Sequence, residues 1–239
     1  MIPFSFIRAA AGGAPFDPAT LSLTSWLRAP YADPWAGVAS AGSSGTNSYT
    51  GAPGNTPTAG TPLNGLATAD FTSDWTSSAD YAETCAPLTG YVLAALVNAD
   101  SLTNSVAYPN GYDSAGLLSD GYGLSLGVDD SGVVLAHYDG GWKTSRSVFG
   151  IATSTWYFVQ GRYDGTNIKV RVNGGAWSAG TAAGTRGIVA TTYKLDAGRS
   201  TVSAYFDGRM AEAITSAALT DGELDDYRAY LNLEYLISI

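Results

Sequence analysis

The sequence predicts an all-β protein: an antiparallel β-sandwich closed by one short C-terminal helix. Three observations carry this. Turn-forming dipeptides recur roughly every ten residues from Gly90 to Ile214, the spacing of a sandwich. Glycine is abundant, at 29 residues, while only 14% of the chain is charged, a composition that suits sheets joined by many turns. One stretch alone, near the C-terminus, joins a helix cap to helically spaced apolar residues. At 239 residues a single large β domain is expected, over residues 15–239, preceded by an apolar arm over residues 1–14.

The arm carries Ile2, Phe4, Phe6 and Ile7 and runs into a small-residue hinge ending at Ala14. It reads as a frayed terminus or, alternatively, as a segment that docks on a neighbouring subunit. Residues 21–27 form the first strand, with Leu21 and Leu23 on one face. Residues 40–57 are rich in turn formers and read as an extended surface segment holding one short strand. Another short strand is expected at 69–72.

The most continuous apolar run spans 90–97. Periodicity leaves a helix open, but Gly90 and the aromatic and β-branched content favour a strand buried on both faces. Residues 122–128 alternate, Asp129-Asp130-Ser131-Gly132 reverse the chain, and 133–138 return as the hairpin partner. Asp139-Gly140-Gly141 turns it again. A Trp-led strand begins at Trp156. Ile168, Val170 and Val172 then alternate with Asn167, Lys169 and Arg171, giving a strand with one wet face between the turns Asp164-Gly165 and Asn173-Gly174. Residues 191–198 and 204–214 supply two more strands. Thr220 stands three residues before Glu223, a capping box, and Leu224, Tyr227 and Leu231 follow at helical spacing. Trp26, Trp156 and Phe158 are expected in the core.

This order of segments resembles the laminin-G-like, concanavalin-A-like jelly-roll superfamily. The resemblance rests on a Trp-led strand ending Tyr163-Asp164-Gly165 and a strand ending Val172-Asn173-Gly174. A late strand, Phe206-x-Gly208-x-Met210-x-Glu212, then precedes Leu219-Thr220-x-x-Glu223 and a helix. Residues 16–29 look like the opening strand of such modules in bacterial and phage proteins. The resemblance implies two antiparallel sheets packed face to face, with the N- and C-terminal strands adjacent. It says little of function, because this fold hosts lectins, hydrolases, adhesion modules and virion proteins.

Charge excludes one class. The formal net charge is −9, and Lys143, Lys169 and Lys194 form no basic run, so nucleic acid is not an expected partner. No run approaches the roughly 20 apolar residues that span a bilayer, so no membrane association is expected. Residues 1–8 lack a basic start and a sustained apolar stretch, so no export signal is expected. Cys85 is the single cysteine and reads as a small buried residue.

Retaining glycosidases of the resembled superfamily carry Glu-x-Asp-x-x-Glu on one strand, about 5–5.5 Å between the working carboxylates. Here Glu83, Glu212, Glu223 and Glu234 show no such pattern, and no enzyme is expected. His137 is the only histidine and reads as structural; one His and one Cys do not make a zinc site. No cofactor is expected, with calcium left open: Asp129 and Asp130 are the first candidates, Asp113 with Asp120 the second. Two loop clusters carry aromatics beside polar groups, the chemistry of sugar binding. They are residues 108–113, with Tyr112 and Asp113, and 138–142, with Asp139 and Trp142.

The expected function is a non-enzymatic phage virion protein, structural or adsorptive, decorating a head or tail. Its partners would be other virion proteins and a cell-surface glycan, its state oligomeric and its location the virion. The alternative is a soluble, lectin-like bacterial module, with a polysaccharide-degrading enzyme behind both.

Overall fold

The computed structural model describes residues 16–23, 25–28, 36–37, 49–51, 58–71, 76–78, 90–102, 115–119, 124–129, 132–147, 150–185, 196–197, 206–216 and 219–239. The arm, Cys85, Tyr112, Asp113, Asp120 and Asp130 lie outside them.

Among the described residues two antiparallel sheets face each other, as expected. The first runs β14 (Thr181–Ala182), β13 (Asn167–Val172), β12 (Trp156–Tyr163), β7 (Tyr91–Ser101), β16 (Asp207–Ser216), β1 (Ser25–Arg28) and β2 (Ala36–Gly37). On it β5 (Ala69–Asp70) pairs with β16 and with β4 (Thr58–Ala59). The second runs β11 (Trp142–Arg146), β10 (Gly132–Tyr138), β9 (Leu124–Asp129), β8 (Ala115–Ser119), β15 (Asp196–Ala197), β6 (Thr76–Ser78) and β3 (Tyr49–Gly51). β1 and β16 are neighbours, so the strands nearest the two termini lie side by side. The opening differs in one respect. Leu21 and Leu23 are buried, but they follow a 3-10 turn at Pro18–Thr20, capped by Asp17, and the strand itself begins at Ser25.

A third layer explains why β7 is buried on both faces. α1 (Asp221–Glu234) packs on the outer side of the first sheet. Leu93, Val97, Val159 and Phe206 fill the space between the sheets with Leu126 and Leu135. Leu96, Phe158, Ile214 and Trp26 pack outward against Leu224, Tyr227 and Leu231 of the helix. Each fully buried aliphatic or aromatic side chain contributes about 1.5–3 kcal/mol, so two cores offset the ordering of a chain this rich in glycine. The sheets approach closely at Gly161, where an added Cβ would stand 3.0 Å from both Leu126 and Leu135. The expected wet face of β13 is wet only in part: Asn167 and Lys169 are half-buried, and Arg171 is covered. Arg171 is 4% exposed because α1 lies over it, and its guanidinium meets Asp225 of the helix at 3.0 Å.

Local chemistry sets the reversals. Asn173 and Gly174 both take positive φ, 54° and 102°, the primed turn that matches strand twist. Asn173 also accepts the Phe158 N–H at 2.9 Å. The register of β16 on β7 shifts at Asp207/Gly208 and again between Met210 and Glu212. At Gly208, φ is 151° and a Cβ would stand 2.3 Å from the Asn98 carbonyl, so the first shift requires glycine. The second shift is a bulge that turns both Ala211 and Glu212 toward the helix, while Met210 and Ala213 face the sandwich interior. No helix among the described residues is long and apolar enough to cross a membrane.

Candidate functional site

β10 and β11 form a tight hairpin in which Tyr138 is the register partner of Trp142. Between them Gly140 takes φ 101°, and the Asp139 N–H donates to the Gly141 carbonyl at 3.2 Å. The two rings meet edge to face, centroids 5.5 Å apart at 62°, and both residues are half-buried. Cross-strand aromatic pairs of this kind stiffen a hairpin end.

Gly184 holds this tip to the rest of the sandwich. Its N–H donates to Asp139 Oδ2 at 2.7 Å. Its carbonyl accepts from the Tyr163 hydroxyl at 2.8 Å and from His137 Nε2 at 3.0 Å. A carbonyl only accepts, so Nε2 carries the imidazole proton and Nδ1 is left to accept from the Tyr91 hydroxyl at 3.1 Å. The Tyr163 and His137 rings lie 4.6 Å apart, both buried. Thr181 donates to the Thr144 carbonyl at 2.7 Å and so ties the edge of one sheet to the edge of the other.

This wiring sets the charges. Burial pushes the His137 imidazole down, more than the Gly184 carbonyl and the Asp139 charge raise it, so the ring is neutral at neutral pH. The Gly184 N–H holds the Asp139 carboxyl below its ordinary value against a smaller upward push from burial; Lys143 and His137 act the same way as the N–H. The turn between Tyr138 and Trp142 therefore carries a carboxylate that is fixed by backbone N–H groups.

Of the residues singled out for ligand binding, Trp142 and Asp139 come together on this tip, whereas Tyr112 and Asp113 lie outside the described residues. β10 ends at Tyr138, so strand alternation does not relate His137 to Asp139, yet the two side chains meet the carbonyl and the N–H of one residue, Gly184. Asp129 stands at the opposite end of β10, opposite Gly132. It is 4% exposed and pairs with Arg146 at 2.5 Å. Among the described residues no three His, Cys, Asp or Glu side chains converge as a metal cage would.

Glu212 is the charged residue whose surroundings sequence reasoning missed. It is fully buried. Trp26 Nε1 donates to its Oε2 at 2.9 Å and the Tyr227 hydroxyl to the same atom at 2.6 Å. The Tyr230 and Tyr235 hydroxyls donate to Oε1 at 3.1 and 3.0 Å, and Arg28 Nε stands 3.2 Å from it. Arg28 also pairs with Glu234, so Glu212 does have an acidic neighbour through a shared guanidinium. Burial pushes the Glu212 carboxyl up, while Arg28 and the hydrogen bonds from Tyr227, Trp26 and Tyr235 pull it down. All of this carboxylate's capacity is spent holding β1, β16 and α1 together.

The half-buried Trp177 is similarly committed. Arg162 and Arg171 lie 4.8 and 4.7 Å from its ring centroid, and its N–H donates to Asp221 at the start of α1. It clasps the helix onto β12 and β13.

No known family model matches the sequence, and no curated protein matches it. Solved structures do resemble it in fold. One is domain 4 of AbnA, a GH43 extracellular arabinanase from Geobacillus stearothermophilus, in complex with arabinotriose. It superposes with a TM-score of 0.58 at 16% identity over 76% of this chain and 87% of that one. The binding domain of Paraclostridial Mosquitocidal Protein 1 gives 0.63 at 13% identity, over 88% of this chain and 52% of that one. The ligand-binding domain of botulinum neurotoxin serotype D, in complex with N-acetylneuraminic acid, gives 0.61 at 11% identity, over 87% and 51%. The chain thus spans about half the length of the two toxin domains. At these identities the likeness is one of fold, a β-sandwich of the jelly-roll kind.

Proposed function

We propose that this protein is a non-catalytic glycan-binding sandwich whose ligand rests on the tip formed by Tyr138, Asp139 and Trp142. The observation that carries the reading is the placement, on one rigid hairpin end, of two aromatic rings 5.5 Å apart and a carboxylate whose direction is fixed by the Gly184 N–H. Sugar rings lay their apolar C–H faces on aromatic side chains, and a few well-oriented polar groups set which sugar fits. Rigid support from His137, Tyr163 and Tyr91 lowers the ordering cost that a mobile loop would bring to binding. The fold neighbours support the reading, since two of them hold arabinotriose or N-acetylneuraminic acid in their solved forms. The absence of the glycosidase carboxylate pattern from the sequence, and the complete saturation of Glu212, favour binding over turnover. The virion setting and subunit contacts expected from the sequence draw no support from these neighbours; the proposal keeps the cell-surface glycan from that expectation.

A glycan array followed by titration calorimetry tests this. Trp142→Ala is expected to weaken any bound glycan about tenfold or more, which corresponds to about 1.4 kcal/mol of lost stacking. Full affinity in a correctly folded Trp142→Ala protein would move the site elsewhere.

A further inference from the structure

We propose that Asn64 is a site of spontaneous covalent modification, where conversion of its side-chain amide to a carboxylate unlatches the C-terminal end of α1. β4 and β5 are joined through Leu63-Asn64-Gly65-Leu66, in which Leu63 and Leu66 exchange backbone hydrogen bonds at 2.8 and 3.0 Å. Asn64 and Gly65 take positive φ, 49° and 85°, and both are exposed. From this turn the Asn64 side chain reaches the end of the helix. Its Nδ2 donates to the carbonyls of Tyr235 at 2.5 Å and Leu236 at 3.2 Å. Carbonyls only accept, so the NH2 group is the end that faces them.

That helix end needs support. The Ile237 N–H returns to the Asn232 carbonyl at 3.2 Å, a Schellman closure that puts Leu236 in the left-handed position at φ 50°. Glycine or asparagine fills that position at little cost, whereas a bulky leucine is strained there. Leu236 is 75% exposed, so packing of its side chain does little to offset the strain. The two hydrogen bonds from Asn64 do. A carboxylate in place of the amide has no donor. It would also set a negative charge against carbonyl oxygens at the negative end of the helix dipole. Tyr235 belongs to the same turn and donates its hydroxyl to the buried Glu212, so release of this end loosens that cluster as well.

The chemistry is that of an asparagine followed by glycine. The Gly65 backbone nitrogen attacks Asn64 Cγ and gives up its proton. A C–N bond forms, the Cγ–Nδ2 bond breaks, and ammonia leaves with that proton. Water then opens the cyclic imide at either carbonyl, leaving an aspartyl or an isoaspartyl residue; nothing is oxidised or reduced. A Cβ added at Gly65 would meet nothing within 4 Å, so the attacking residue is unobstructed. Because Asn64 and Gly65 are exposed, the local opening that the attack requires disturbs few contacts. Asn173-Gly174 provides the contrast. Asn173 is half-buried and accepts the Phe158 N–H, and a Cβ on Gly174 would stand 2.5 Å from the Arg228 guanidinium.

The test is to age the full chain in mildly alkaline buffer and map its peptides by mass spectrometry with isoaspartate detection. Asn64 is expected to convert several-fold faster than Asn173. Asn64→Asp, the converted form made directly, is expected to raise backbone hydrogen exchange at residues 235–239 about tenfold, because the latch governs local opening there. Asn64→Gln keeps an amide and closes a cyclic imide far more slowly; it is expected to stay unmodified and to exchange less than Asn64→Asp. Circular dichroism confirms each fold. Should Asn64→Asp misfold, the same exchange measurement is made on the aged wild-type fraction separated by ion exchange. Conversion at Asn64 no faster than at Asn173 overturns the site. Exchange at 235–239 unchanged in the converted protein overturns the latch.

Discussion

Four neutral donors and one guanidinium converge on the buried Glu212, and the consequence is measurable. Removing one member of a buried, hydrogen-bonded ion pair leaves its partners unsatisfied, and such changes cost about 3–5 kcal/mol. Glu212→Ala is expected to fall in that range in urea unfolding, because it orphans the Trp26 N–H and three tyrosine hydroxyls at once. A loss under about 1 kcal/mol would show that the surrounding groups find other partners. Little of this was readable in the sequence. Trp26 lies 186 positions from Glu212, and nothing local marks them as partners. The bulge before Glu212 also reverses the face that simple alternation assigns to it. One weak signal was present. The buried stripe of the helix carries Tyr227 and Tyr230, and buried tyrosine hydroxyls need a polar partner on the surface they cover.

Elements with purely local causes were read correctly, and the helix is the clearest. Thr220 Oγ1 accepts the Glu223 N–H at 3.2 Å, and Glu223 returns the bond by accepting the Thr220 N–H at 2.7 Å. Arg162 reinforces this end by pairing with Asp221 at 2.5 Å. Thr220→Ala should therefore lower stability by about 1 kcal/mol, the usual worth of an N-cap side chain, without altering the sandwich. Denaturant midpoints with an unchanged slope would report it; no change would mean that Arg162 and Trp177 alone fix the helix start. The hairpin turn at Asn173-Gly174 was equally readable, since its backbone conformation depends on those two residues. β13 shows where local reasoning stops. Its alternation was correct, but Arg171 became buried because a helix 50 residues later covers that face. The candidate site divides the same way. The aromatic tip follows from Tyr138, Gly140, Gly141 and Trp142 in sequence, whereas its anchor, Gly184, is 45 positions from Asp139 and carried no mark.

The molecule as a whole is joined between its sheets by a titratable group. His137 belongs to the second sheet, while Tyr91 and Tyr163, which flank it, belong to the first. Burial lowers its folded-state value below the ordinary 6.5, and this makes stability depend on pH with a definite sign. Above pH 6.5 the imidazole is neutral in folded and unfolded chains alike, and its contribution is fully present. As pH falls below 6.5 the unfolded chain takes up a proton that the folded chain refuses. Stability then drops until the lowered folded value is reached, by about 1.4 kcal/mol for each unit of lowering. Protonation would also remove the Nδ1 acceptor used by Tyr91. The charged groups around the ring pull in known directions: Asp139 raises it, Lys143 acts on Asp139, and Tyr163, pushed up by burial, stays neutral in this range. Asp139 and Asp164, both held below 3.8, lose their own contributions only in stronger acid. Asp207 and Glu212 are raised and oppose the slope, so the wild-type curve alone does not isolate the histidine. The comparison with His137→Gln does, because glutamine can donate to Gly184 and accept from Tyr91 without titrating. Urea unfolding from pH 7.5 to 5 should fall more steeply for the wild type than for His137→Gln. Parallel curves would mean that the ring is solvated or charged in the folded state, and that the two sheets are not held together through a neutral imidazole.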